Sequence, residues 1–461
     1  MHPHVGASHP ANMIDSANDP RGNLSVLDAV LLIVGVVIGA GIFALPAMVA
    51  ANTASTGQFL FAWIFGGGVS LAGALCYAEL ATAYPHSGGE HHFLRRAFGG
   101  SVSFLFAWSR LTVLQTGSIA IQAFIIGDYL ARLFPASAYT SAVIAACVIV
   151  LVTSINVAGI RMGRWTLVVL GIATCIGLML VAASGLLGAA AVSVPAAAPT
   201  SGTPAFGLAM VFVLLAYGGW NEAAYISADV SRRNMVRALL WGISTITIIY
   251  LLVNLAYLRG LGLAGIAASS APAADLVERT AGAGLGAFAS IAIAIAALST
   301  MNATTITGGR SNFALGRDVP LFEPLGRCDN ATQTPRVALL VQGAISILLV
   351  LLGAITRDGF AALVEYTAPV FWFFFFLVGA SVFVLRTKDR SHPRPFRVPL
   401  YPLTPILFCG VCLYMVRASL AHTGLGALVG VAVLLVGLPV LWVARSRRGA
   451  PTILPHKQIE S

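Results

Sequence analysis

"VGVVIGAGIFALP", Val34 to Pro46, is apolar enough for a membrane helix, yet it carries Gly35, Gly39 and Gly41 and then Pro46. A helix in lipid must satisfy its backbone hydrogen bonds internally, and glycines followed by a proline weaken that ladder. Two readings follow. Either small residues let neighbouring helices pack closely, or the helix unwinds at mid-depth and offers its main chain to a ligand. A second interruption elsewhere in the chain would favour the latter.

The 461 residues are 58% hydrophobic and 10% charged, with a mean hydropathy of +0.87. Soluble domains are nearer one quarter charged, so most of this chain belongs in lipid. Spanning the hydrocarbon takes roughly 20 residues of helix. Apolar runs occur near 27–50, 59–84, 102–130, 139–157, 165–187, 206–230, 235–258, 285–307, 337–355, 363–385, 403–420 and 425–443. They are continuous rather than alternating, which predicts an all-α polytopic membrane protein with about twelve transmembrane helices rather than a β-barrel.

The net charge of +10 reads as topology rather than as a nucleic-acid footprint. With both termini in the cytoplasm, nearly all Lys and Arg fall on that side, leaving Arg132, Arg259, Arg279, Arg357 and Arg417 outside and Arg110 within a helix. This is the positive-inside pattern of a cytoplasmic membrane protein. Residues 1–23, with His2, His4 and His9, read as a solvated, disordered tail rather than a signal peptide, and 446–461 as a second cytoplasmic tail. The connection Arg259 to Gly284 reads as an external loop with little charge. Gly308 to Arg336 reads as a cytoplasmic connection holding a short interfacial amphipathic helix. The cysteines Cys76, Cys147, Cys175, Cys328, Cys409 and Cys412 are poorly placed for an external disulfide. The spacing of Cys409 and Cys412 reads as apolar filling.

A second interruption does appear. In "FVLLAYGGWNEAAYISADV", Phe212 to Val230, Gly218 and Gly219 precede Trp220, Asn221 and Glu222 in mid-span. The interrupted helices, the first and the sixth, are five spans apart. An odd offset means opposite directions through the bilayer, as in inverted repeats, here about 24–188 and 206–386 followed by two helices at 400–445, all within one domain of 24–445. Unwinding frees N–H groups near Ala40, Gly41 and Ile42, suited with the half-helix dipole to a carboxylate. It also frees carbonyls near Gly35, Val37, Ile38, Tyr217 and Gly218, suited to an ammonium or small cation. A zwitterion fits both.

"IGAGIFALP" at Ile38 to Pro46 resembles the first-helix signature of the amino acid–polyamine–organocation superfamily. "CYAELATAYPHSGGEHHFLRRAFG", "AYGGWNEAAY", "STMNATTITGGRSNFALGRDVP" and "RPFRVPLYPLTPILF" resemble further family segments, in family order, from about Leu24 to Val443. The resemblance is closest to L-type amino-acid exchangers and their bacterial relatives. It implies the leucine-transporter-like 5+5 inverted repeat with discontinuous helices 1 and 6, alternating access, and a substrate between them. The implied substrate residues are Ile38, Gly39, Ala40, Gly41, Ile42, Tyr217, Gly218, Gly219, Trp220, Asn221 and Glu222, with Trp220 gating or lining the pocket. Animal members carry a cysteine after helix three that bridges a heavy subunit; the loop Ala131 to Thr140 has none, so no disulfide-linked partner is expected.

Relatives that use a lysine in helix five in place of sodium are not matched, since Gly171 and Thr174 stand in that region. Ala296, Ser299 and Thr300 share one face of helix eight and, with Gly35 and Ile38, resemble a sodium site; Ser and Thr bonding to their own helix is the alternative. Sodium, a proton, or exchange without any coupling ion remain open. Buried carboxylates are functional candidates by default. Glu79 is expected to pair with a basic residue, Arg110 to pair with Glu79 or Glu90, and Glu365 to sit in an external vestibule. Glu222 is read as a cation ligand, a proton carrier or a backbone cap. No enzyme motif or resident cofactor is evident. The expectation is a transporter of amino acids, neutral ones favoured, with polyamines or other organic amines as the alternative and a membrane enzyme as the remote one.

Overall fold

The computed structural model describes residues 26–86, 88–134, 137, 139–159, 164–188, 205–222, 232–329, 334–356, 359–422 and 425–446. The expectations for both tails and for the second half of helix six fall outside these residues. Every regular element among the described residues is a helix.

Each apolar run expected from the sequence contains an apolar helix, and nine helices are long and apolar enough among the described residues to cross a membrane. The first run is divided into α1 (Val26–Val37) and α2 (Gly41–Ala51). Next comes α3 (Thr56–Ala83), started by Ser55, whose hydroxyl accepts from the Gln58 N–H at 3.2 Å. The short helix α4 (Gly89–Phe98) has Glu90 in its first turn and Arg95 and Arg96 in its last, the order that suits the helix dipole. Gly99, at φ 88°, turns the chain into α5 (Gly100–Ser109), which continues through a π-helical turn, Arg110–Leu114, into α6 (Gln115–Ala131).

α7 (Thr140–Val157) and α8 (Arg164–Leu187) complete the first half, and the sixth run begins with α9 (Phe206–Ala216). Two connections are corrected by the structure. Arg259 to Gly284 is not a loop: α10 (Arg232–Ala267) runs into it, and α11 (Pro272–Ala281) fills the rest. Pro272 at its start, Asp275 in its first turn and Arg279 in its last favour that helix. Nor is the region chargeless, because Arg132 pairs with Asp275 and, at 2.6 Å, with Glu278. The second correction concerns Gly308 to Arg336. There α12 (Ala283–Asp318) extends through Gly308, and only Pro320–Gly326 forms a short 3-10 segment.

The remaining helices are α13 (Arg336–Ile355), α14 (Gly359–Lys388), α15 (Leu403–His422) and α16 (Leu425–Ser446). One continuous core joins α2, α3, α6, α9, α10 and α14. Large apolar side chains such as Trp241, Met179, Leu348 and Trp442 are exposed on the rim, as expected where the outer solvent is lipid.

Glu79 finds its basic partner in Arg386, whose Nε donates to Oε1 at 2.7 Å, with Arg394 at 3.7 Å and the Val398 N–H donating to Oε2 at 2.7 Å. This carboxylate pins α3 to the end of α14 and to the segment before α15. Arg110 is not its partner. Glu365 is half-buried on α14, beside Gly426 of α16.

Candidate functional site

The chain leaves the helix at both interruptions, and the two places meet. Between α1 and α2 the residues Ile38, Gly39 and Ala40 leave the helix, and after α9 so do Tyr217, Gly218 and Gly219, the last at φ 111°. α2 packs against α9. A Cβ added to Gly41 would lie 3.8 Å from Cα of Ala216 and 3.2 Å from Cδ1 of Leu45, so the start of one half-helix lies against the end of the other.

The start of α2 carries no side-chain cap and no acidic residue. Among the described residues, the N–H groups of Ala40, Gly41 and Ile42 make no hydrogen bond within the protein, while the Phe43 N–H turns back to the Ala40 carbonyl at 3.1 Å. Likewise the carbonyls of Ile38, Tyr217 and Gly218 accept none among those residues. Main chain left open at a helix end can take an external partner. Three donors at a positive helix end beside three acceptors form a concentrated, oppositely polarised pair of surfaces.

Other carbonyls at the breaks are satisfied by tyrosines that sequence reasoning missed. The Tyr250 hydroxyl lies 3.1 Å from the Val37 carbonyl and 2.9 Å from that of Ala216, so one group on α10 serves the last turn of both half-helices. Tyr129 donates to the Phe43 carbonyl at 2.7 Å, and Tyr217 to that of Trp63 at 3.0 Å. Tyr250 and Tyr129 are fully buried. Nothing in local spacing distinguishes them; only their aromatic bulk with a polar tip in an apolar helix could have raised them as candidates.

Trp220 is 3% exposed. Its ring stands edge-on to Tyr77 at 5.0 Å and to Phe375 at 5.6 Å, and Gly73 makes room for it, since a Cβ there would fall 2.7 Å from its Cη2. Asn221 and Glu222 lie on the other side of the break. The Asn221 amide donates to Glu90 at 3.3 Å, and its oxygen accepts from the Gly219 N–H at 3.2 Å. Glu222 faces Arg110 at 3.8 Å.

Of the residues read as sodium ligands, Thr300 packs against the first break, its Oγ1 3.1 Å from where a Cβ on Gly39 would sit. Its hydroxyl donates to the Ala296 carbonyl at 3.3 Å, the self-bonding alternative. Ala296 is buried and Ser299 half-buried, but Gly35 is on an exposed side of α1, with no atom within 4 Å of a Cβ placed there. In helix five, a Cβ added at Gly177 rather than at Gly171 would reach the break region, 3.3 Å from Cζ of Phe43.

A bundle of apolar helices, one of them broken and another ending against that break in the core, is the frame of a multi-pass membrane permease. The chain belongs to the amino acid permease family: the profile described as "Amino acid permease" matches residues 24–443. It is 30% identical to b(0,+)-type amino acid transporter 1 of Mus musculus over 408 residues, which covers 86% of this chain and 82% of that protein. Serine/threonine exchanger SteT of Bacillus subtilis (strain 168) is 25% identical over 441 residues, 94% of this chain and 99% of the exchanger. Large neutral amino acids transporter small subunit 2 of Homo sapiens is 29% identical over 440 residues, covering 92% of this chain and 80% of the relative.

Proposed function

We propose that this permease exchanges neutral amino acids by alternating access, with the substrate's carboxylate on the N–H groups of Ala40, Gly41 and Ile42 and its ammonium on the carbonyls of Ile38, Tyr217 and Gly218. The observation that carries this reading is the set of backbone groups at two abutting breaks that make no hydrogen bond among the described residues. Each polarity matches one end of a zwitterion, and a substrate held by main chain leaves the side-chain pocket free to select. Gly39 and Gly219 let the chain bend there, and Trp220 forms the pocket wall nearest α3 and α14.

The chain crosses the membrane twelve times in this reading, as inverted repeats followed by two helices, with the basic face in the cytoplasm. The names of the three relatives, two transporters and an exchanger of amino acids, support the substrate class. An amine without a carboxylate would leave the α2 donors unpaired, and Glu222 already faces Arg110; both points favour amino acids over polyamines. Exchange proceeds without sodium, a reading supported by the self-bonded Thr300 hydroxyl and the outlying Gly35. The chain works without a disulfide-linked subunit, since Ala131 to Thr140 offers no thiol.

The test is counterflow into liposomes holding the purified protein, preloaded with single amino acids, with amines or with buffer. Accumulation driven by neutral amino acids, equal in sodium and choline media, is the expected result. A response to amines alone overturns the substrate assignment, and a requirement for sodium overturns the uncoupled reading.

A further inference from the structure

On the outer flank of α9 the helices leave an apolar cavity of about 400 Å³. Its walls come from three elements: Phe65 of α3, Phe206 and Met210 of α9, and Leu407, Gly410 and Tyr414 of α15. Leu407 and Tyr414 are exposed, so the cavity opens on the rim of the bundle. Phe61, exposed beside it, stacks on Phe65 and on Phe206 with ring centroids 5.7 Å and 6.1 Å apart, which makes the α3 side a stiff aromatic wall.

Lipid tails are as apolar as this lining, so the lining alone selects nothing. Selection comes from Arg417. It follows Tyr414 by three residues and Gly410 by seven, the spacing that returns to one helix face. Its neighbour Ala418 lies against the start of α9, with its Cβ 3.0 Å from where a Cβ on Gly207 would sit, which puts Arg417 beside Phe206 at the end of the cavity. Arg417 is exposed, and among the described residues it makes no hydrogen bond, ion pair or ring contact. It lies within the apolar span of α15 and before the helix end at His422, roughly 7.5 Å short of that end at 1.5 Å per residue. From that depth an arginine lays its stem on apolar surface and reaches the headgroup layer with its guanidinium. A bare guanidinium at the end of an apolar cavity is complementary to a phosphate that carries acyl chains.

We infer that this cavity is the site of one phospholipid from the leaflet opposite the basic face, with an acyl chain along Phe65, Met210 and Gly410 and the phosphate on Arg417. The inference stands apart from the choice of substrate. Because α9 ends at the second break, the lipid braces against α15 the half-helix that leads into it. Gly410 gives a direct handle on the chain. No atom lies within 4 Å of a Cβ placed there, so a larger side chain enters the cavity instead of colliding with the protein.

The test uses the full-length protein in mild detergent, washed free of bulk lipid and then given phosphatidylglycerol, phosphatidylethanolamine or diacylglycerol, with bound lipid counted by native mass spectrometry. Wild type should retain one phospholipid per chain, of either kind, and no diacylglycerol. Gly410→Leu should cut retention about tenfold by taking the acyl chain's place, and Arg417→Gln about fivefold by removing the phosphate's partner, while Arg417→Lys stays close to wild type. Saturating phosphatidylglycerol should raise the melting temperature of wild type and leave that of Gly410→Leu unmoved. No lipid on the wild type, full retention by Gly410→Leu or by Arg417→Gln, or diacylglycerol held as tightly as phospholipid would overturn the inference. So would a lipid-free dimeric wild type that Gly410→Leu converts to monomer, since the cavity would then seat a second copy of this chain.

Discussion

The two helix breaks are built from opposite materials. The first, Ile38 to Ala40, is flanked by apolar side chains and presents only main chain, with Gly39 packed on Thr300 and Gly41 on α9. The second, Tyr217 to Glu222, is wrapped in aromatic rings and tied by Asn221 and Glu222 to charges on α4 and at the π-turn. Main chain has a fixed shape and fixed partial charges, so it can hold the invariant part of a substrate in every cycle. Side-chain contacts can be made and broken separately. In the proposed exchange cycle, the difference suits the first break to be the binding surface and the second to be the one that moves.

The largest expected effect breaks the binding half. Gly41→Val puts a branched side chain where the first Cβ would already lie 3.2 Å from Leu45 and 3.8 Å from Ala216, over the donors meant for the carboxylate. Counterflow uptake should fall to background while the protein still elutes as a single species in size-exclusion chromatography. Wild-type uptake would remove the first break from the site. Trp220→Ala comes next. Deleting a ring buried among Tyr77, Phe375 and Phe408 opens a cavity costing roughly 3–5 kcal/mol. Thermal unfolding should therefore drop along with uptake, a combination not expected for Gly41→Val.

Tyr250→Phe tests the element common to both breaks. Removing the hydroxyl takes the donor from the buried Ala216 carbonyl, while the Val37 carbonyl keeps the Gly39 N–H at 2.8 Å, a cost of about 1–3 kcal/mol. The ring and its packing remain, so the expected outcome is a folded protein whose KM rises several-fold as the two half-helix ends lose their common tie. If KM is unmoved and only the melting temperature falls, Tyr250 supports the fold without aligning the breaks.

The positions of the breaks were legible because glycine clusters in apolar runs are rare punctuation with a backbone meaning, and the all-helical character followed from hydropathy alone. The same local signals were silent on what satisfies the exposed carbonyls. Tyr250 and Tyr129 lie far along the chain from the groups they serve, and a tyrosine in an apolar helix has no periodic signature. The partner of Arg110 was narrowed to Glu79 or Glu90, but Glu222 as its second partner depends on how helix six folds back. The external connection was misread as a loop for a related reason. Pro272, Asp275 and Arg279 cap a helix of only ten residues, whose stability comes from Arg132 of another element and from packing on α8, α10 and α12.

The smallest effect concerns the seat of the moving break. α4 carries Glu90, and two residues later His92 stacks on His86 with ring centroids 4.2 Å apart. Burial first, and then the nearby His86 and Arg96 charges, push the His92 imidazole down to about 4 from its ordinary 6.5. Between those values the unfolded chain holds a proton that the folded chain does not, so stability falls as pH drops from about 6.5 and levels off near 4. Melting temperature in detergent should decline across that window, and His92→Phe, which cannot titrate, should flatten part of the decline. Because α4 anchors only the second break, uptake at the basic face should weaken in parallel with α4's loss of stability, while the protection of the α2 amides stays constant. Equal acid sensitivity at α2 and α4 would mean that the two breaks respond as one body, and the separation into a binding half and a moving half would fail.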